Sequence, residues 1–164
     1  MAEYGLMDVA RPGLTDGLQR NVRTLAVQEG DGFEFGDPIF VAVGDEVNAY
    51  VGDNANADLL FAGVAIISHR SSVVEQGEYE EYDAMNCLEA GDVWVRVPSD
   101  VSDLAHSRAY VIDDPTDEHY GYFTNVEGTN FLTGGYFRTG PVVVGDDSLA
   151  ILRVAGVREE ESAT

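Results

Sequence analysis

Three histidines, one cysteine and thirty carboxylates are the groups of this 164-residue chain with the capacity for chemistry, and their spacing limits what they can do. His69, His106 and His119 are dispersed, with no two at the short intervals that a metal site or proton relay uses. Asp117-Glu118-His119 is the densest titratable cluster that includes a histidine, and because it follows Pro115 it reads as a solvated loop. Glu78, Glu80, Glu81 and Asp83 could flank a glycosidic bond, but so acidic a chain produces such a run without catalysis. Asn54-Ala55-Asn56-Ala57-Asp58 has oxygen ligands at alternate positions, as in a calcium loop. It carries Leu59 where that loop needs Gly and Ala65 where it needs a bidentate Glu. Cys87 lies in an apolar stretch and reads as an inert core thiol; a lone cysteine can form neither an intramolecular disulfide nor a multi-thiolate metal site. Without lysine there is no P-loop, and neither G-x-S-x-G nor H-E-x-x-H occurs. The expectation is a protein with no catalytic, cofactor-binding or metal-binding residues.

The elements that would position these groups are strands. Eighteen Gly, many Val and short apolar bursts, with no window of useful length at helical spacing, predict an all-β fold. The predicted strands are 38–43, 47–51, 60–68, 84–88, 93–97, 108–112, 120–125, 135–139 and 149–154. Gly44-Asp45, Glu89-Ala90-Gly91-Asp92 and Gly145-Asp146-Asp147-Ser148 read as hairpin turns. Alternation puts Val93, Val95 and Val97 on one face against Trp94 and Arg96, and Ala150, Leu152 and Val154 against Leu149, Ile151 and Arg153. The aromatics crowded after residue 119 read mostly as core, with a minority facing outward as interface anchors. Strands at this spacing predict one compact domain, a β-barrel, jelly-roll or β-tulip-like module, over residues 31–157. Residues 1–30 are expected to be a partly extended N-terminal arm carrying Arg11, Arg20 and Arg23, and 158–164 an acidic solvated tail.

Charge decides the environment. Thirty acidic residues oppose nine positive ones, all Arg, for a net charge of −21 and a pI near 4.1. Such self-repulsion strains a compact fold at low salt, whereas in molar salt the Debye length falls to about 3 Å and the strain is screened. The composition is that of a protein from brine, or of an acidic mesophilic protein whose high GC content favours Arg over Lys. Nucleic acid is excluded as a partner, because phosphates would repel this surface. No apolar run is long enough for a membrane helix, and the opening MAEYGLMDVARPG has no signal-like pattern, so neither membrane insertion nor Sec export is expected.

Four stretches taken in order resemble a known family: Tyr4 to Gly13, Phe61-Ala62-Gly63-Val64-Ala65, Ala90 to Val97, and Gly121-Tyr122-Phe123-Thr124 leading to Gly135-Tyr136-Phe137. Together they look like the structural cement, or capsid decoration, proteins of tailed phages; the missing lysine and excess acid fit a virus of a salt-loving archaeon. The resemblance implies a barrel-like module, assembled in the host cytoplasm, that joins the outer surface of an icosahedral head. It further implies a homo-oligomer, commonly a trimer, that ties major capsid protein subunits together. Candidate interface residues are Leu6, Val9, Arg11 and Pro12 in the arm, with Trp94 either at the interface or in the core. Two other readings stand beside it: a halophilic cytoplasmic β-barrel enzyme or ligand-binding protein, and a virion spike or turret module that binds glycans.

Overall fold

The computed structural model describes residues 10–28, 30–45, 47–67 and 78–155. Among them every regular element is a strand: β1 (Thr15–Val27), β2 (Phe33–Glu34), β3 (Pro38–Ala42), β4 (Asn48–Ala49), β5 (Leu59–Ala65), β6 (Glu78–Tyr79), β7 (Ala84–Arg96), β8 (Arg108–Val111), β9 (Phe123–Thr124), β10 (Phe131–Phe137), β11 (Val142–Val144) and β12 (Asp147–Ala155). The all-β expectation is met. A ten-stranded sheet runs β3-β5-β7-β12-β10-β8-β9, with β1, β4 and β11 joined to it from the side, and β2 pairs β6 separately.

The largest departure from the sequence reading is β7. Residues 84–88 and 93–97 were expected to form two strands around a turn at 89–92, yet 84–96 is one strand of 13 residues. Gly91 takes a φ of 137° inside it and still pairs with Val154 of β12. Continuity is maintained because both edges of β7 are occupied across the expected turn, where Ala90 and Asp92 each pair with β1 and with β12. One edge pairs with β1 from Ala84 to Val93; the other passes from β5 at Leu88 to β12 at Ala90. Turn chemistry in the sequence lost to pairing on both sides.

β1 is the second departure. Thr15–Val27 lies within the stretch read as an arm, but it forms a strand antiparallel to β7. The two remaining turns behave as expected. Gly44 (φ 84°) turns β3 toward Tyr50, whose backbone exchanges both hydrogen bonds with Phe40. Asp45 locks that turn by accepting from the Val47 amide, the Asn48 amide and side chain, and the Tyr50 hydroxyl. These bonds, led by the one from the Asn48 side chain, hold its carboxyl well below the usual range. Gly145-Asp146 likewise closes β11 onto β12.

Two apolar cores lie on opposite sides of a shared wall made by β3, β5 and β7. Phe40, Val64, Leu88, Val93, Val95 and Leu152 belong to one; Leu25, Phe33, Ile39, Ala65, Met85 and Cys87 to the other. Neighbouring residues therefore go to opposite cores, as Ile39 and Phe40 do, or Cys87 and Leu88. A strand covered on both faces needs no polar alternation. This explains the unbroken apolar runs at 38–43 and 59–67. Edge-to-face contacts of Phe40 with Phe61 (6.0 Å) and Phe131 (5.1 Å) tie the wall to β10.

The wall closes only because β5 and β7 approach at Gly63, where a Cβ would stand 2.1 Å from the Leu88 carbonyl oxygen and 2.8 Å from the Cys87 sulfur. Backbone cannot give way as a flexible side chain can. Gly63→Ala is expected to lower unfolding free energy by about 3 kcal/mol or to prevent folding. Gly140→Ala, where a Cβ meets nothing within 4 Å, should change it by less than about 0.5 kcal/mol; urea melts of the two variants measure the contrast.

Candidate functional site

Among the described residues the histidines share no site: His119 lines an open groove of about 550 Å³ with Asp100, Asp103 and Asp117, and His106 is not part of it. His106 is exposed with a left-handed backbone (φ 67°), while His119 stacks on Tyr122 at 5.4 Å beside Glu118. His69 lies outside the described residues. In the Asn54–Asp58 loop the side-chain oxygens make turns instead of facing an ion: Asp53 accepts from the Ala55 amide and Asn56 from the Asp58 amide. Of the acidic run, Glu81 accepts from the Gly30 amide and Asp83 from the Glu80 amide. No cluster suited to a metal occurs among the described residues. Cys87 is fully buried, and burial, aided by the Glu89 charge, pushes its thiol up to about 12. The expected inert core thiol is what the structure shows. A cavity of about 130 Å³ between Phe33, Pro38, Val51, Val111 and Tyr120 has Asp37 in its wall and no histidine.

The chain instead anchors the turn at residues 10–14 that leads into β1. Ala10 is buried, Arg11 exposed and Pro12 half-buried. Gly13 (φ 76°) is wedged so tightly that a Cβ would lie 2.8 Å from Phe35 and 2.9 Å from the Ala65 oxygen. Its amide donates to the Trp94 carbonyl (2.9 Å) and its carbonyl accepts from the Ile67 amide (3.1 Å); the Trp94 amide in turn donates to Leu14 (3.0 Å). Trp94 itself is half-buried. Its backbone, rather than its ring alone, fixes the Gly13–Leu14 turn into β1. Sequence reasoning missed this, although the Arg-Pro-Gly triplet followed by an apolar residue marks a tight turn into a strand. Leu6 and Val9 lie outside the described residues.

Beneath this turn Arg96, on the Trp94 face of β7, gathers negative charge. It donates to the Phe35 carbonyl (3.2 Å) and reaches Glu34 (3.2 Å), Asp37 (3.7 Å) and Asp147 (3.9 Å). This clamp ties the 34–37 loop, which packs on Pro12 through Gly36, to β7 and β12. Burial pushes the Asp37 carboxyl up to about 7, against the Glu34 amide and the Arg96 charge. A second clamp uses Asp92: burial raises its carboxyl, but hydrogen bonds from Arg153 and then Arg138 outweigh that and leave it below the usual range.

Exposed apolar residues lie mostly at sheet margins: Val43 and Val47 beside the Gly44 turn, Leu60 on β5, and Val142 and Val143 on β11. Among the described residues β11 pairs with β12 and with no other strand.

Residues 3–155 match the model of a family described as structural cement protein (E217 gp24/Pam3 gp6). Among solved structures, a chain described as the capsid of Myoviridae phage XM1 superposes with a TM-score of 0.69. The two share 16% sequence identity, over 88% of this chain and 89% of that one. At that identity the likeness concerns the fold. No individually curated protein matches.

A raised carboxyl favours the folded state only while it is protonated. The Asp37 contribution should therefore be lost as pH rises from about 4, where the unfolded carboxyl ionises, through about 7. Asp37→Asn is expected to remove that part of the slope, read as the difference between variant and parent urea midpoints from pH 4 to 8; parallel curves would contradict it.

Proposed function

The chain belongs to the structural cement protein family, and from that premise we propose that it is a virion structural protein that decorates the outer surface of an icosahedral head. It would bind there as a homo-oligomer, and a trimer fits the family resemblance. The family match across nearly the whole chain is the observation that carries this reading. The shared fold with a phage capsid chain supports it.

The partner we assign is the major capsid protein. The contacts come from residues 1–9, with Leu6 and Val9 as apolar anchors, and from Arg11 and Pro12 where the chain leaves the barrel. Gly13 and Trp94 act from below, as the fixed point that keeps this segment aimed. Trp94 thereby supports the interface through its backbone. Segments that become ordered against a partner lose entropy on binding, so a rigid root lowers that cost. Several copies acting together across neighbouring capsid subunits convert weak contacts into a strong clamp, since each later contact is effectively intramolecular.

The acidic surface belongs in this account as an adaptation to salt, in a virus of a salt-loving host. Apolar contact and backbone pairing carry the binding, because exposed ion pairs are weak and are screened in brine. Two experiments test these statements. Purified protein should rebind stripped heads in high salt, while a chain lacking residues 1–9 keeps its circular dichroism spectrum and loses rebinding; full rebinding by the truncated chain contradicts the assignment. Thermal unfolding of the intact chain should shift upward by several degrees between dilute buffer and molar salt, roughly the effect of 1–2 kcal/mol for a domain of this size. An unchanged midpoint contradicts the adaptation to salt.

A further inference from the structure

Positive charge in this chain of net charge −21 is concentrated on one sheet face around Tyr136. Arg108 on β8 and Arg153 on β12 are both direct cross-strand partners of Tyr136 on β10, so the three side chains share a face. Arg138, two residues along β10, joins them. Asp92 lies opposite Arg153 on β7 and accepts from Arg153 at 2.8 and 3.0 Å and from Arg138 at 2.5 Å. Asp92 thus takes up two guanidiniums, those of Arg138 and Arg153, and not that of Arg108. Arg108 is exposed and has no ion pair among the described residues. Tyr136 is 37% exposed, with the Arg153 guanidinium 6.0 Å from its ring centre.

The opposite chemistry stands at the start of β7. Glu78, Glu80 and Glu81 are exposed, and Tyr82 projects from the same turn with 70% of its surface exposed. Tyr82 holds a φ of 68°, a conformation that a bulky residue avoids unless its surroundings impose it. Here they do. Its amide donates to the Val27 carbonyl (2.9 Å), Asp83 accepts from the Glu80 amide (2.9 Å), and Glu81 accepts from the Gly30 amide (2.8 Å). The ring is therefore presented on a locked acidic turn and is not part of the core.

We propose that the Arg108–Tyr136–Arg138 face docks the Glu78–Asp83 turn of a second copy of this chain, with Tyr82 stacked among the guanidiniums and Tyr136 while Glu80 pairs with Arg108. Charge complementarity selects the occupant: the face is cationic and every copy offers this acidic aromatic turn. The turn cannot satisfy the face of its own copy. Residues 83–91 separate Tyr82 from Asp92, eight of them in β7, about 30 Å of extended chain. Two different patches in contact make a head-to-tail interface, the kind that closes into rings. Guanidinium–carboxylate hydrogen bonds and stacking on tyrosine act at contact distance, so molar salt weakens them less than longer-range attraction.

The inference rests on the oligomeric reading above, and sedimentation of the isolated protein tests it apart from any binding to heads. Wild type should self-associate. Arg108→Glu and Glu80→Arg, both at exposed positions, should each weaken association by about tenfold or more, and R108E/E80R together should restore it to near the parent value. Circular dichroism checks that each variant is folded. Unchanged association in Arg108→Glu, or no restoration in the double variant, overturns the contact while leaving the oligomer in place. A wild type that stays monomeric at every soluble concentration overturns both. If Arg108→Glu self-associates normally but no longer rebinds stripped heads, the face belongs to the capsid partner and the second-copy assignment is wrong.

Discussion

The close approach of β5 and β7 at Gly63 is the constraint on which the rest of the structure depends. It places the Leu88 carbonyl where any side chain at 63 would stand. With that contact made, β7 can serve β1 on one edge while handing its other edge from β5 to β12. Two cores then share a single wall, and each residue pair along it, such as Cys87 and Leu88, divides between them. A wall buried on both sides must be apolar on both sides, so few of its positions are free for chemistry. The exposed apolar side chains lie instead at the margins, on turns and strand edges.

Much of this organisation is legible in the residues. Val93, Val95 and Val97 face one core while Trp94 and Arg96 stay half-buried, as alternation requires. The turns at Gly44-Asp45 and Gly145-Asp146 follow from residues that accept a left-handed backbone and, for Asp45, cap the turn with a carboxylate. What could not be read was pairing at long range. Glu89-Ala90-Gly91-Asp92 has every local mark of a turn, and only the simultaneous presence of β1 and β12 keeps it extended. β1 was hidden for a related reason: Thr15–Val27 has scattered apolar positions, and its strand is defined by the partner it meets. Local signals specify turns well and specify strand continuity poorly, because continuity is a property of neighbours.

The candidate site shows the same division. Arg11, Pro12 and Trp94 are the interface candidates read from the sequence within the described residues, and in the structure they lie about the turn that leads into β1. Gly13 and Arg96, which fix that turn, carried no signal beyond a turn-forming triplet and one charged residue in an apolar strand. The two arginine clamps have a further lesson. Arg96 gathers carboxylates from distant parts of the chain, and Asp92 gathers the two guanidiniums of Arg138 and Arg153. In a protein with so few cations, the position of each one shapes the local field, and the uncompensated Arg108 stands out against that background.

The central claim is that this protein is a capsid-associated structural protein of a virion. Quantitative mass spectrometry of purified virions tests it most directly. The account predicts a copy number close to that of the major capsid protein, with the protein released when heads are stripped and their shells remain. Absence from the particles, or presence at only a few copies per virion, would contradict it.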